Sequence, residues 1–114
     1  FGQTLLQQGL WQGEQVIPTA AVQSISGGGD PAKFAGAGYI TLPGGSYRSQ
    51  WWALHNENGA YSARGIHGQA IYVDPTAEMV IARFATFPIS FNAAIDPTSL
   101  PAYQAVADYF IKKP

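Results

Sequence analysis

Residues 63–75, which read ARGIHGQAIYVDP, decide the fold of this chain. The second half of the stretch is rich in strand formers, and the closing Asp74-Pro75 pair is typical of a turn that ends a strand. Gly65 and Gly68 stand between this strand and the one before it, where glycine lets the backbone come close to another strand or to a ligand. The stretch therefore predicts two strands joined by a glycine-containing turn.

The flanking sequence predicts an antiparallel sheet around these two strands. Asn58-Gly59 is a strong hairpin signal, and residues 74–78 form a second turn. The last strand carries apolar residues on both of its faces, which predicts an inner strand. The predicted strands are Ser49–Leu54, Ala60–Arg64, Gln69–Val73 and Met79–Ala85.

Helical patterns mark both ends of the chain. A first helix is predicted before Gly9, and a second begins near Pro18 and ends at the glycines 27–29. Ser99 is predicted to cap a closing helix that has Pro101 in its first turn. The apolar stripe of this helix consists of Leu100, Tyr103, Ala107 and Phe110.

The elements together predict an α/β fold of the α+β kind, with an antiparallel sheet packed against helices. With 114 residues there is room for a single domain, residues 1–114. Residues 28–46 are rich in glycine, proline and alanine and are predicted to form a long loop.

Composition excludes several classes of function. The net charge is −1, so the chain has no basic field for nucleic acid or for a membrane surface, and neither is an expected partner. Only 11% of the residues are charged, against the usual ~25%, which predicts a large buried or interface fraction. Cysteine is absent, and neither histidine has a carboxylate pair nearby in the sequence, so no metal is expected and the compartment stays undetermined.

The chain starts within a helical pattern and without methionine. A natural N-terminus rarely looks like this, so we expect a fragment of a larger protein.

The order helix, helix, antiparallel strands, closing helix resembles the end of the serine β-lactamase-like hydrolases. This family includes class C β-lactamases, penicillin-binding proteins, esterases and 6-aminohexanoate-dimer hydrolases. Residues 1–18 look like its helix-turn-helix segment, and Gln50-Trp51-Trp52 looks like its aromatic strand. Residues 65–75 and 79–82 look like its last hairpin, and the run 47–75 looks closest to the 6-aminohexanoate-dimer hydrolase branch.

The resemblance implies a serine hydrolase that cleaves an amide or ester through an acyl-enzyme and needs no cofactor. Ala63-Arg64-Gly65 matches the third element of the family site, often Lys-Thr-Gly, so Ala63 replaces the lysine. The backbone N–H of Ile66 would complete the oxyanion hole, and Gly65, His67 and Gly68 would line the substrate pocket. The Ser-x-x-Lys and Tyr-x-Asn elements are not in these residues, so the chain alone is expected to be inactive.

Each of these residues also has a plain structural interpretation. Gly65 and Gly68 would relieve crowding between strands, and His67 would be a structural or pocket-wall histidine. Trp51 and Trp52 point to opposite faces of one strand and would both pack in the core, or one of them would line the pocket or a missing domain.

Two further alternatives remain open. Arg48 and Arg64 would either steer a substrate carboxylate or be solvated and ion-paired. The rival to an enzyme is a non-catalytic structural domain that assembles with itself into a homo-oligomer.

Overall fold

The computed structural model describes residues 1–113. Four α-helices and seven strands follow one another along the chain. The helices are α1 (Gly2–Leu6), α2 (Thr19–Gly27), α3 (Pro31–Gly36) and α4 (Asp96–Lys112). The strands are β1 (Leu10–Trp11), β2 (Glu14–Gln15), β3 (Ser46–Arg48), β4 (Trp51–Ala53), β5 (Tyr61–Arg64), β6 (Ala70–Asp74) and β7 (Met79–Arg83). Short 3₁₀ turns cover Ile66–Gly68 and Asn92–Ala94.

The main sheet has five strands in the order β3-β4-β5-β6-β7, and every neighbouring pair is antiparallel. Each strand therefore pairs with the next strand in sequence. β5 and β6 are in register with Tyr61 opposite Val73 and Arg64 opposite Ala70. The expected α+β class, an antiparallel sheet packed against helices, is confirmed.

The two faces of this sheet carry two separate hydrophobic clusters, because side chains alternate along each strand. On one face α1 and α2 cover the sheet, and the cluster consists of Leu5, Val22, Trp51, Tyr61 and Val73. On the other face α4 covers it, and the cluster consists of Ala60, Tyr72, Met79, Tyr103 and Ala107. Trp51 thus lies in the first cluster, whereas Trp52 points to the α4 side of the sheet.

The predicted strand Ser49–Leu54 is wrong in its extent. Ser49 and Gln50 have φ angles of 51° and 67°, which is the left-handed pair required at a two-residue hairpin turn. The chain reverses there, so that β3 pairs with β4.

The predicted loop 28–46 contains α3. The side chain of Asp30 accepts hydrogen bonds from the N–H groups of Ala32 (2.8 Å) and Lys33 (3.3 Å), and Pro31 follows this N-cap. A helix start with an aspartate cap and an adjacent proline is a favourable local arrangement.

The closing helix begins at Asp96 rather than at Ser99. Pro97 in its first turn has a fixed φ suited to a helix start, and Pro101 therefore lies inside the helix. Ser99 is buried and accepts a hydrogen bond from Arg83 instead of capping. Phe110 is 48% exposed, so it lies outside the packed stripe.

β7 lies at the edge of the sheet, which corrects its prediction as an inner strand. Within residues 1–113 it pairs with β6 alone. Phe84, which follows it, is 92% exposed. The apolar residues on both faces of β7 are thus beside an open edge.

Candidate active site

The candidate site lies where β5 ends and the chain turns into β6. Gly65 is extended, and the residues that follow form the 3₁₀ turn Ile66–Gly68. His67 has a φ of 55° and Gly68 a φ of 89°, so two successive residues are left-handed. This geometry turns the backbone sharply and exposes Ile66, whose side chain is 66% exposed.

Hydrogen bonds fix the backbone on both sides of Ile66. The N–H of Gly65 donates to the Gln69 carbonyl (2.9 Å), and the N–H of His67 donates to the Ser90 carbonyl (3.0 Å). The side-chain amide of Asn92 donates to the Gly65 carbonyl (3.2 Å). Within residues 1–113 the Ile66 N–H donates no hydrogen bond. A single backbone donor is thus held in place without a partner.

His67 ties this turn to the segment that follows β7. Its Nδ1 lies 2.7 Å from the Phe87 carbonyl oxygen, and the Phe87 N–H donates back to the His67 carbonyl (3.1 Å). A carbonyl oxygen only accepts, so Nδ1 carries the hydrogen in this contact. The half-buried ring of His67 therefore serves the structure of the turn through its Nδ1 atom.

Gly68 and Gly65 both stand where a side chain would collide. A Cβ atom at Gly68 would overlap the Phe87 ring, and the Gly68 carbonyl accepts a hydrogen bond from Arg83 Nε (2.6 Å). A Cβ atom at Gly65 would lie 2.9 Å from Cβ of Gln69. Close packing of the turn against its neighbours thus requires glycine at both positions.

A cleft of about 470 Å³ opens beside Gly65 and Ile66. Its walls come from the 37–41 loop, from β4 and from the segment 90–93, and they are mainly apolar and aromatic. They include Tyr39, Ile40, Trp52, Phe91 and Asn92. His67 and Gly68 do not line this cleft; His67 borders a smaller depression with Thr86 and Phe87.

A buried ion pair borders the cleft. The guanidinium of Arg64 contacts the carboxylate of Asp96, and both side chains are less than a tenth exposed. The Thr41 hydroxyl donates to the same carboxylate (2.6 Å), and the guanidinium lies 5.7 Å from the centre of the Trp52 ring. Arg64 is therefore ion-paired inside the protein, as in the plain interpretation of this residue.

A second groove, of about 600 Å³, lies on the α1 face of the sheet. Phe1, Gly2 and Gln50 border it at one side, and the ends of β5, β6 and β7 form its floor. Gly65 borders both this groove and the cleft, so the turn separates two open regions of the surface.

Two serine hydroxyls near these elements are closed off by packing. Ser46 is fully buried; its Oγ accepts from the Gly29 N–H (2.9 Å) and lies 2.7 Å from Nε2 of His55. Ser62 is 3% exposed and donates to the Ile71 carbonyl (2.9 Å). The Ser46–His55 contact was not foreseen from the sequence, and its burial prevents attack on a substrate.

Neither a metal-binding cluster nor a membrane-spanning helix is found among residues 1–113. Within residues 1–113, no three His, Asp or Glu side chains are grouped to hold a metal ion. The helices in this part of the chain are all too short or too polar to cross a membrane.

The antiparallel sheet between helices and the turn at the end of β5 resemble the C-terminal segment of the β-lactamase-like serine hydrolases, and the comparisons with known proteins support that family. It is 35% identical over 88 residues to the 6-aminohexanoate-dimer hydrolase of Paenarthrobacter ureafaciens, a match that covers 76% of the chain and 22% of that protein. A solved structure from Bacillus anthracis, provisionally named a 6-aminohexanoate-dimer hydrolase, matches the whole chain at 34% identity with a TM-score of 0.81 and is covered over 28% of its length.

These matches confirm the expected resemblance to this family's C-terminal segment and to its 6-aminohexanoate-dimer hydrolase branch. The chain spans 22% and 28% of the lengths of the two relatives. No protein-family model matches the chain.

Proposed function

We propose that this chain is the C-terminal part of a serine hydrolase that cleaves amide or ester bonds through an acyl-enzyme, and that its Ile66 N–H is one donor of the oxyanion hole. The observation that carries the proposal is the N–H of Ile66, unpaired within residues 1–113, which stands between neighbours that are fixed by hydrogen bonds. An oxyanion hole requires such a preorganised donor, since it then needs no rearrangement during the reaction.

In the proposed reaction a serine Oγ attacks the carbonyl carbon of the substrate, and its proton passes to a base. The carbonyl oxygen becomes an oxyanion that accepts a hydrogen bond from the Ile66 N–H. Collapse of this intermediate expels the amine or alcohol, and water then hydrolyses the acyl-enzyme in the same manner. The nucleophile and base would come from another part of the longer protein, because the Ser-x-x-Lys element of the family is not in these residues.

The substrate class follows from the residues around the donor. Ala63 stands where the family often has a lysine, and the cation beside it, Arg64, is paired with Asp96. A β-lactam carboxylate would thus lack a charge-assisted partner, whereas an uncharged chain next to the scissile bond needs none. A linear amide or ester fits better, in keeping with the relative named for the 6-aminohexanoate dimer. Gly65 would line the substrate site, and His67 and Gly68 would brace the turn that carries the donor.

The test replaces Ile66 by proline in the full-length protein. Gly65 has φ −106° and ψ 173°, a conformation suited to a residue before proline, and Ile66 is the first residue of its 3₁₀ turn. The substitution therefore removes the N–H without breaking an internal hydrogen bond. We expect kcat on a nitrophenyl ester or a linear amide to fall by roughly 10²–10³-fold.

Ile66→Ala is the matched control, because it shortens an exposed side chain and keeps the N–H. Its kcat should fall far less than that of Ile66→Pro, because the donor is kept although the shortened side chain borders the cleft. Equal loss in both variants, or full activity in Ile66→Pro, would contradict the assignment of the donor. Turnover by residues 1–114 alone would contradict the proposal that the nucleophile lies elsewhere.

The second candidate is a structural domain that associates with a second copy. The open edge of β7 and the 92% exposed Phe84 beside it favour this function, because an unpaired apolar strand is a template for another strand.

A further inference from the structure

The peptide unit between Gly65 and Ile66 carries two groups that face in opposite directions. A trans peptide is planar, so the orientation of the Gly65 carbonyl fixes the orientation of the Ile66 N–H. The carbonyl accepts a hydrogen bond from Nδ2 of Asn92 (3.2 Å). Because the acceptor is a carbonyl, the amide nitrogen of Asn92 and not its oxygen must face it.

This hydrogen bond acts on the N–H at the other end of the same unit in two ways. It resists rotation of the peptide plane, since rotation would move the carbonyl away from Asn92. It also polarises the amide, and a peptide whose carbonyl is hydrogen-bonded is a stronger N–H donor.

The fold holds Asn92 firmly enough for this role. Asn92 begins the 3₁₀ turn that leads into α4, and Asp96, four residues later, pairs with Arg64. The end of β5 is thus held at two successive residues: Arg64 by Asp96, and Gly65 by Asn92. The half-buried side chain of Asn92 is part of a two-point attachment.

We propose that Asn92 is a positioning residue, which orients and polarises the Gly65–Ile66 peptide so that its N–H is ready to donate to a developing oxyanion. The inference rests on the proposed function of Ile66. Asn92 acts through this peptide and takes no part in bond making or breaking.

The kinetic test uses Asn92→Ala and Asn92→Asp in the full-length protein. Near neutral pH both variants should have a kcat about tenfold below that of the wild type, a smaller loss than in Ile66→Pro. Their KM should stay within about twofold of the wild-type value, because the lost interaction acts in the transition state. The aspartate is isosteric, but its carboxylate cannot donate and repels the carbonyl.

The pH profile separates positioning from a general structural role. When the introduced aspartate is protonated, its O–H can donate to the Gly65 carbonyl. The ratio of kcat for Asn92→Asp to that of the wild type should therefore rise as the pH falls toward ~4, the ordinary pKa of aspartate. The same ratio for Asn92→Ala should stay flat. A flat ratio for both variants, or wild-type kcat in both, would overturn the inference.

A second measurement does not depend on activity. In the isolated chain, the ¹⁵N resonance of Ile66 and the carbonyl ¹³C resonance of Gly65 should shift in both variants, whereas resonances of β6 should not. Asn58→Ala is the control, because this asparagine also donates a side-chain hydrogen bond, to Asp74 (2.9 Å), but lies away from the turn. Its loss should lower stability and leave the Ile66 resonance and kcat unchanged.

The two proposals can fail separately. A wild-type full-length protein that turns over no ester or amide contradicts the proposed function. Unchanged Ile66 and Gly65 resonances in the Asn92 variants overturn the positioning role, whatever the activity.

Discussion

Gly68 and Gly59 both have a left-handed backbone but lie in different surroundings. Gly68 has φ +89° and would overlap the Phe87 ring if it carried a Cβ atom, whereas Gly59 has φ +68° and open space around it. We expect Gly68→Ala to lower the free energy of unfolding by about 2–4 kcal/mol, from backbone strain plus overpacking. Gly59→Ala, which adds strain alone, should cost about 1 kcal/mol. Urea denaturation measures both, and equal losses would show that Phe87 moves aside.

Tyr61 couples stability to high pH. Burial raises the pKa of Tyr61 from 10.0 to about 12, and its buried hydroxyl has no hydrogen-bond partner within residues 1–113. The native state holds the proton more tightly than the unfolded chain, so this contribution is complete below pH 10 and is lost as the pH rises toward 12.

Tyr61→Phe removes this titration. As the pH rises from about 10 to about 12, its loss of stability should be smaller than that of the wild type by on the order of 2 kcal/mol. Near neutral pH the variant should be at least as stable, because an unsatisfied hydroxyl has left the core. Urea denaturation at several pH values measures the difference; parallel profiles for the two proteins would contradict this account.

At the scale of elements, the Arg64–Asp96 pair attaches the start of α4 to the end of β5. Removing one partner leaves a buried charge unpaired, and we expect Asp96→Leu or Arg64→Met to cost about 3–5 kcal/mol. The double variant should recover much of this loss, because neither charge remains. A double-mutant cycle by denaturation tests the coupling, and additive single losses would argue against it.

Local signals account for the elements that were predicted from the sequence. Strand alternation and turn residues predicted Ala60–Arg64 and the strands after it, because their pairing partners are adjacent in sequence. Asp30-Pro31 is a local signal for the start of α3, but the high glycine, proline and alanine content of residues 28–46 favours a loop. The hairpin turn at Ser49-Gln50 has no such local signal, since neither residue type favours a left-handed backbone.

Of the candidate site, only the turn formed by neighbouring residues was predicted from the sequence; the contacts between distant residues were not. The turn at residues 65–68 and the placement of Ile66 could be predicted from the glycines and the family resemblance. Arg64 meets Asp96 and Gly65 meets Asn92 across 32 and 27 residues, and such contacts depend on how α4 is placed against the sheet. No pattern within one stretch of sequence indicates them.

At the scale of the whole molecule, the open edge of β7 and the exposed aromatic side chains beside it predict self-association of the isolated chain. Phe1 is 70% exposed and Phe84 is 92% exposed, and both border the groove on the α1 face. Pairing of two β7 edges about a twofold axis would cover this surface. Light scattering at micromolar concentration should report a dimer or a larger species.

Phe84→Lys should shift the isolated chain to a monomer without a loss of folding stability, since its exposed side chain makes few contacts within the chain. Ile111→Lys, on the exposed side of α4, is the matched control and should leave the oligomer unchanged. A wild-type chain that stays monomeric would contradict the prediction.

The sequential order of the sheet also determines the order in which the molecule assembles. All five strands pair with neighbours along the chain, so successive hairpins can form with little loop-closure entropy. The helix α1 is different, because it reaches β6 and β7 from the opposite end of the sequence. We expect its docking to follow formation of the sheet. We therefore expect local opening of the native state to begin at the groove beside α1, where amide hydrogen exchange should be faster than in β5 and β6.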